Sequence, residues 1–222
     1  MYFYNIFWRS NVNFKKYQEI QSFIRKHQKI AKIVAISKNQ PKESVIEALK
    51  HGVRIFGENR VQEAKTKFVE LFKQYPNLEL HFTGSLQTNK VKSALQIFQI
   101  FQTLDRERLA NEFLKFPNLT NDKKFFIQVN TGKESSKSGV MPNEAKDFIR
   151  YCVNELKLNI IGLMCMPPIA ESPKLHFALL QKIAIENNIN QLSMGMSSDY
   201  VEAVMLNATY IRLGTILFGK QK

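Results

Sequence analysis

The sequence predicts an α/β protein with a single (α/β)8 barrel, the TIM-barrel fold, preceded by an extra N-terminal helix. Three observations support this: about eight short apolar runs, helical patterns between most of them, and a length of 222 residues. Strands that alternate with helices indicate a parallel sheet. An open doubly wound sheet and a closed barrel both satisfy that alternation. The strand count favours the barrel, and the length lies near the compact end of the barrel range.

The predicted strands are short runs rich in apolar residues. They cover residues 33–37, 53–57, 80–84, 100–104, 125–130, 160–166, 192–196 and 210–215. The predicted helices show apolar residues at helical spacing, or a proline at the start and a glycine after the end. They cover residues 14–28, 41–50, 59–73, 106–115, 143–156, 173–187 and 198–207.

No linker rich in Pro, Gly or Ser divides the chain. We therefore expect residues 1–222 to form one domain, with the N-terminal helix at about 14–28 and the barrel at about 31–219. Residues 1–8 are aromatic but lack the basic segment and cleavage site of a signal peptide. No apolar run reaches the roughly 18 residues that suggest a membrane span. We expect a cytoplasmic protein without a membrane partner.

The composition argues against two other classes of function. The formal net charge of +13 suits either a nucleic-acid partner or a lysine-rich solvated surface. The basic residues are scattered and no nucleic-acid-binding motif is present, so we favour the surface interpretation and expect no nucleic acid. The two cysteines form no C-x-x-C, and the four histidines show no metal-ligand spacing. We expect no metal.

Lys38 stands out because it follows the first predicted strand directly. In a barrel, the sites lie at the C-terminal ends of the strands. An ammonium group at the tip of a buried strand is expected to be desolvated, which favours the neutral amine. A neutral lysine amine can attack a carbonyl group and form a Schiff base. Lys38 is therefore the leading candidate for a covalent site.

The ends of the seventh and eighth predicted strands indicate a phosphate site. Ser197 or Ser198 can cap the following helix, with Asp199 in its first turn. Backbone N–H groups at such a helix start bind anions. Gly214 allows the backbone to approach a ligand closely, and Thr215 adds a hydroxyl group. Ordinary helix capping and a tight turn explain the same residues equally well.

Arg212 lies two residues before Gly214, so the two positions are expected on the same face of the last strand, which can be the barrel interior. A buried arginine needs an acceptor or a ligand. We expect either a ligand group such as a pyridine nitrogen or a salt bridge to Glu58. Met196 and His81 are expected to be packing residues, the histidine with its hydrogen bonds satisfied.

Several groups of residues match a known family in sequence order, from about residue 31 to 219. They are IVAISK at 33–38, FGEN at 56–59, VQE at 61–63, HFTG at 81–84, LQ at 86–87, NK at 89–90, Asn130 with SKSG at 136–139, GLM at 162–164, LSMGMS at 192–197, Asp199, IRLGT at 211–215 and FG at 218–219. The sequence thereby resembles the pyridoxal phosphate homeostasis proteins, the YggS/PROSC-type proteins that bind pyridoxal 5'-phosphate (PLP). Arg60 departs from the family, which often has Tyr there.

The resemblance implies a barrel like the N-terminal domain of alanine racemase, with a PLP site. Lys38 matches the lysine that forms the internal aldimine, and Arg212 matches the arginine near the pyridine nitrogen. The remaining matched positions surround the phosphate or line the pocket: Ser197, Gly214 and Thr215 for the phosphate, and Asn59 and Met196 for the pocket.

The resemblance also implies a role in keeping PLP available and in amino-acid and keto-acid balance, with PLP-dependent apoenzymes as partners. The alternative is a PLP-dependent amino-acid racemase. Racemisation usually needs a base on each face of the substrate carbon. Alanine racemase-like enzymes take the second base from an additional β-domain, for which we see no room after Thr215. We expect a monomeric carrier without strong turnover.

Overall fold

Eight parallel strands close into a barrel in the computed structural model, which describes residues 12–219. Each strand pairs with the next one along the chain, and the last returns to pair with the first. The strands are β1 (Lys32–Ile36), β2 (Ile55–Glu58), β3 (Glu79–Phe82), β4 (Ile100–Leu104), β5 (Lys124–Gln128), β6 (Ile160–Met164), β7 (Gln191–Ser193) and β8 (Tyr210–Leu213). The predicted barrel is confirmed.

Ten α-helices connect or flank the strands in the described part of the chain. They are α1 (Phe14–Lys26), α2 (Lys42–Lys50), α3 (Val61–Gln74), α4 (Val91–Leu95), α5 (Glu107–Leu114), α6 (Pro117–Thr120), α7 (Ala145–Arg150), α8 (Pro173–Glu186), α9 (Tyr200–Met205) and α10 (Thr215–Phe218). A 3-10 turn precedes α4 at Thr88–Lys90, and a π-helical turn follows α7 at Tyr151–Glu155.

The structure departs from the predicted elements mainly in the short ones. Helices α4, α6 and α10 have four or five residues each, too few to show a helical period, and the sequence analysis missed all three. The predicted helix 143–156 is instead α7 followed by the π-helical turn, where the Leu156 N–H donates to the Tyr151 carbonyl. The aromatic segment 1–8 lies outside the described residues.

The N-terminal helix α1 packs on the outside of the barrel. The Asn13 side chain caps it by accepting a hydrogen bond from the Lys16 N–H at 3.0 Å. Ile20 and Ile24, one helical turn apart, are buried. The Asn13 N–H also donates to the Leu217 carbonyl at 2.7 Å, which ties the start of α1 to α10. The predicted extra helix is thus present and anchored.

The apolar core has two parts. Between strands and helices, aromatic rings pack in a cluster around Phe101, whose ring centroid lies 5.0 Å from that of Phe113 and 5.5 Å from that of Phe125. Inside the barrel, a smaller buried cluster includes Phe126. Gly162 leaves room for that ring, since a Cβ atom there would lie 2.2 Å from a Phe126 ring carbon.

Candidate functional site

A cavity of about 520 Å³ opens at the carboxyl ends of the strands, where barrel sites lie. It brings together residues that follow six of the eight strands, β1, β2, β3, β6, β7 and β8. All seven residues predicted for the site line it: Lys38, Asn59, Met196, Ser197, Arg212, Gly214 and Thr215. The closed barrel explains this convergence, because β8 pairs with β1 and so brings the two ends of the chain together.

Lys38 lies at the mouth of this cavity, in the turn between β1 and α2. β1 ends at Ile36, so Lys38 is beyond the sheet and is exposed. Asn39 has a left-handed backbone with φ of 57°, which asparagine tolerates better than most residues, and it turns the chain towards α2. The expectation that burial desolvates Lys38 is wrong, because water reaches the turn beyond the strand end.

A buried ion cluster supports this turn from the outer side of the sheet. The Lys67 ammonium group on α3 donates to the Ser37 carbonyl at 2.7 Å, to Glu58 Oε1 at 3.0 Å and to Glu63 Oε1 at 2.6 Å. Ser37 Oγ donates to Glu58 Oε1 at 2.7 Å, and Glu63 Oε1 accepts the Asn39 N–H at 2.5 Å. The residues on both sides of Lys38 are therefore held by one cluster. Sequence reasoning missed it.

The electrostatics of this cluster centre on Glu58, which is 0% exposed. Burial raises the pKa of Glu58, and the charge and hydrogen bond of Lys67 and the hydroxyl of Ser37 oppose that rise without cancelling it. Glu58 Oε2 has no hydrogen-bond partner among residues 12–219. The ionised form of the Glu58 carboxylate therefore depends on the positive charge of Lys67 for its stability.

Arg212 forms part of the cavity wall and is 5% exposed. Its Nη1 donates to Ser193 Oγ and its Nη2 to the Cys165 carbonyl, both at 2.8 Å. Burial lowers the pKa of the guanidinium group, and the Cys165 thiol and the Asp199 carboxylate oppose that change. The alternative of a salt bridge with Glu58 is not formed, because that carboxylate faces Lys67 outside the sheet.

The turn after β7 differs from the sequence prediction. Asp199, and not a serine, occupies the position before α9, and its Oδ1 accepts the Met196 N–H at 2.5 Å. Because α9 begins at Tyr200, Ser197 and Ser198 lie before the capping position, and both line the cavity. Ser197 Oγ accepts the Ile216 N–H at 3.4 Å, which links this turn to α10.

The turn after β8 places Gly214 directly before α10, with Thr215 as its first residue. In the first turn of α10, the Ile216 N–H donates to Ser197 Oγ and the Leu217 N–H to the Gly214 carbonyl at 2.9 Å, so Thr215 is the residue that can offer its N–H and its hydroxyl group to an anion. A Cβ atom at Gly214 would make ordinary contacts with Ile36 at 3.5 Å, so the packing of the protein itself does not demand glycine here. Gly84 is the tighter position, since a Cβ there would lie 2.4 Å from the Asn59 carbonyl oxygen.

Asn59 carries an unsatisfied group into the cavity wall. Its Oδ1 is buried and has no hydrogen-bond partner among residues 12–219. A buried polar atom without a partner costs free energy unless a ligand or water supplies one. Gln40 and Thr83 also line the cavity and were not predicted. The position of Thr83, directly after β3, is the signal that could have identified it.

Residues 12–219 offer neither a metal site nor a membrane-spanning helix. No group of three or more His, Cys, Asp or Glu residues there could hold a metal ion. The helices of that part of the chain are all too short or too polar to cross a bilayer. His81, as predicted, is buried and hydrogen-bonded.

The barrel and its cavity define the class of this protein. The family model of the alanine racemase N-terminal domain matches residues 15–222. An alanine racemase from Clostridium difficile shares the fold with a TM-score of 0.68 at 16% identity, over 95% of this chain and 58% of the racemase chain. The protein is therefore a barrel of the alanine racemase N-terminal domain class.

Closer relatives narrow that class to one family. A pyridoxal phosphate homeostasis protein from Aquifex aeolicus is 38% identical over 204 residues, which cover 86% of this chain and 88% of the relative. The human protein of that name is 32% identical over 213 residues, which cover 86% and 76%. The chain belongs to the pyridoxal phosphate homeostasis protein family.

Solved structures agree with that assignment. PipY of Synechococcus elongatus PCC7942 without PLP superposes with a TM-score of 0.83 at 32% identity, over 92% of this chain and 99% of PipY. The PipY structure with PLP bound gives a TM-score of 0.81 at 30% identity, with the same coverage.

Proposed function

We propose that this protein binds PLP in the cavity at the carboxyl ends of the strands and holds it there as a Schiff base on Lys38. The observation that carries the proposal is the convergence of a lysine amine, a buried guanidinium group and the first turn of α10 on one cavity. These groups suit the aldehyde, the ring nitrogen and the phosphate of PLP. The unpartnered Asn59 oxygen also fits a ligand with polar ring substituents. The relative PipY has a structure with PLP bound.

Each lining residue has a proposed part in binding. The Lys38 amine condenses with the PLP aldehyde, forming a C=N bond and releasing one water molecule. The hydroxyl groups of Ser197 and Thr215 and the Thr215 N–H at the start of α10 would donate hydrogen bonds to the phosphate. Arg212 faces the ring nitrogen, and its fixed positive charge keeps that nitrogen unprotonated. The PLP Schiff base, when formed, can withdraw electrons from a bound amine.

Two further lining residues complete the proposed pocket. Asn59 offers its side-chain oxygen to a polar group on the ring, and Met196 packs against the ring as an adaptable apolar contact. Bound PLP would then be held at the aldehyde, the phosphate and the ring together.

The chemistry of the cavity wall supports a carrier over a racemase. Racemisation usually needs a base on each face of the reacting carbon. Among the described lining residues, Lys38 is the one group that can act as a base, because arginine stays protonated. The relatives are also named as homeostasis proteins. We therefore propose PLP homeostasis, with its amino-acid and keto-acid balance, without strong turnover.

We also propose the partners, the location and the oligomeric state of the protein. PLP-dependent apoenzymes are the expected recipients of the cofactor, and the cytoplasm is the expected location. Residues 1–222 are proposed to act as one domain and as a monomer. Size-exclusion chromatography with light scattering tests this.

Borohydride reduction of the PLP-loaded protein tests the covalent site. Reduction should abolish the Schiff-base absorption band and fix the cofactor on a single peptide that contains Lys38. The Lys38→Ala variant should show neither the band nor the adduct, whereas Lys50→Ala, at an exposed position of α2, should behave as the wild type. A cofactor fixed on another lysine in the wild type would overturn the proposal.

A racemisation assay tests the carrier role. The PLP-loaded protein should racemise alanine no faster than the same concentration of free PLP does. A faster rate that Lys38→Ala abolishes would favour the racemase alternative.

A further inference from the structure

Five polar residues form a continuous hydrogen-bonded chain through the barrel interior. Arg212 Nη1 lies 2.8 Å from Ser193 Oγ, which lies 2.6 Å from Gln102 Oε1. Gln102 Nε2 lies 2.6 Å from His81 Nδ1, and His81 Nε2 lies 2.8 Å from Glu79 Oε1. Arg212 lines the cofactor cavity, whereas Glu79 is the first residue of β3, at the amino ends of the strands. The chain therefore crosses the barrel.

The chemistry of these groups sets the direction of every hydrogen bond. A guanidinium group can only donate, so the Ser193 oxygen accepts from it. The single hydroxyl proton of Ser193 then goes to the Gln102 carbonyl oxygen. The Gln102 amide nitrogen donates to His81 Nδ1, which must carry no proton. His81 Nε2 therefore carries the proton and donates to the Glu79 carboxylate. Donors and acceptors match at all four links.

The opposite orientation of the Gln102 amide would require a doubly protonated His81. Burial lowers the pKa of His81, and although Glu79 opposes this, the lowered value favours the neutral ring. Burial alone would raise the pKa of Glu79, but the interaction with His81 and the charges of Lys32 and Lys124 outweigh it, so that its pKa is lowered. Glu79 is thus an ionised acceptor at the end of the chain.

The interior members of the chain have few alternatives. His81, Gln102 and Ser193 are each 0% exposed, so a broken link would leave a buried donor or acceptor unsatisfied. The Tyr210 ring also packs against His81, with the ring centroids 5.2 Å apart. Each residue is therefore held in place by the next, and the chain holds Nη1 of Arg212 while the Cys165 carbonyl holds Nη2.

We propose that the four residues behind Arg212 in this chain are positioning residues for its guanidinium group. They fix its direction in the cavity wall, so that the surroundings of the ring nitrogen depend on a carboxylate at the far end of the barrel. This inference rests on the proposed PLP function, because Arg212 acts on a bound ring. A barrel interior that served only for packing would not need these polar residues, and the positioning role explains why they are there.

Gln102→Leu tests the inference by cutting the chain at its middle. The variant should still form the borohydride-stable adduct on Lys38. Its absorption maximum should shift, and its PLP affinity should fall about two- to tenfold, the size expected for the loss of one hydrogen bond between neutral groups. Gln128→Leu is the matched control, because Gln128 is also buried but bonds the Ser138 carbonyl outside the chain. It should lose stability while keeping the wild-type spectrum.

The absorption spectrum of the PLP-loaded variants distinguishes a positioning role from a role in packing alone. A Gln102→Leu protein with wild-type spectrum and affinity would overturn the inference, and so would an equal change in Gln128→Leu. If Gln102→Leu fails to fold, Glu79→Leu breaks the chain at its half-buried end and should shift the band in the same way. Glu79→Gln keeps an acceptor for His81 and should lie closer to the wild type. A wild-type spectrum of Glu79→Leu would likewise overturn the inference.

The wild-type protein distinguishes this inference from the function on which it rests. If the proposed function fails, the wild type itself gives no adduct on Lys38. If only the positioning role fails, the wild type gives the adduct and the variants share its spectrum.

Discussion

Replacing Lys67 by methionine should destabilise the fold strongly, because it removes the cation from a buried cluster. The ammonium group donates three hydrogen bonds at 2.6–3.0 Å, two of them to carboxylates. Methionine has a similar length and no charge, so the packing of α3 is largely kept. What remains is the Glu58 carboxylate, which is fully buried and has lost its cation.

The size of the effect follows from that remaining charge. Removing one partner of a buried ion pair costs about 3–5 kcal/mol of unfolding free energy. For a chain of this length, each kcal/mol shifts the melting temperature by about 2–4 °C, so Lys67→Met should melt about 6–20 °C below the wild type. Lys73→Met is the control on the same helix, because the Lys73 side chain is 71% exposed in its pair with Glu70. It should change stability by no more than about 0.5 kcal/mol.

The pH dependence gives a second test with a definite sign. Burial raises the pKa of Glu58 in the folded state, so its contribution to stability is present below the ordinary carboxyl pKa and is lost as pH rises through the folded value. Without Lys67 the folded pKa should rise further. The destabilisation by Lys67→Met should therefore be larger in mildly alkaline than in mildly acidic buffer.

Urea denaturation of three proteins measures these effects: the wild type, Lys67→Met and the double variant Lys67→Met with Glu58→Gln. The added amide removes the uncompensated charge, so the double variant should be more stable than Lys67→Met. Our reasoning would be refuted if Lys67→Met lost no more stability than Lys73→Met, or if Glu58→Gln made it worse.

Three further predictions concern packing and reactivity. Gly84→Ala should lower both the melting temperature and PLP affinity, because its Cβ would lie 2.4 Å from a backbone oxygen, whereas Gly214→Ala should leave the melting temperature nearly unchanged. Cys152 and Cys165 should resist iodoacetamide in the native protein and react with it in urea, because burial raises the pKa of each thiol to about 12. Mass spectrometry of the alkylated protein measures the extent of the reaction. Phe101→Ala should cost about 3–5 kcal/mol in urea denaturation, since it empties the centre of the aromatic cluster.

The sequence predicted the barrel and the lining of its cavity because both follow from local signals. Short apolar runs mark the strands, and the polar residue or glycine after each run marks its carboxyl end. A parallel barrel brings all those ends to one face, so Lys38 and Thr215 could be expected near each other. The binding roles of these residues stay predictions until the reduction experiment is done.

The remaining features depend on relations that no local pattern contains. The exposure of Lys38 depends on where β1 ends, at Ile36 and not one residue later. The pairing of Glu58 with Lys67 depends on which face of β2 lies under α3. Helices of four or five residues are too short for periodicity.

Of the four residues that form the hydrogen-bonded chain behind Arg212, the sequence predicted the role of one. His81 was predicted as a core histidine with satisfied hydrogen bonds, which is confirmed. Its partner Gln102 lies 21 residues away, and Ser193 lies 91 residues beyond that. Residues so far apart in sequence come to the same height along the barrel axis only through the register of the strands.

The contact between Gly162 and Phe126 has an evolutionary consequence. The phenylalanine ring fills the space that a side chain at position 162 would need, and a Cβ there would come within 2.2 Å of it. Behind the ring stands a second barrier, because the same Cβ atom would lie 2.7 Å from the backbone carbonyl oxygen of Gln191, which cannot move aside as a side chain can. A smaller side chain at position 126 therefore does not make a larger residue acceptable at 162, and family members with this strand pairing are expected to keep the glycine even where the phenylalanine is replaced.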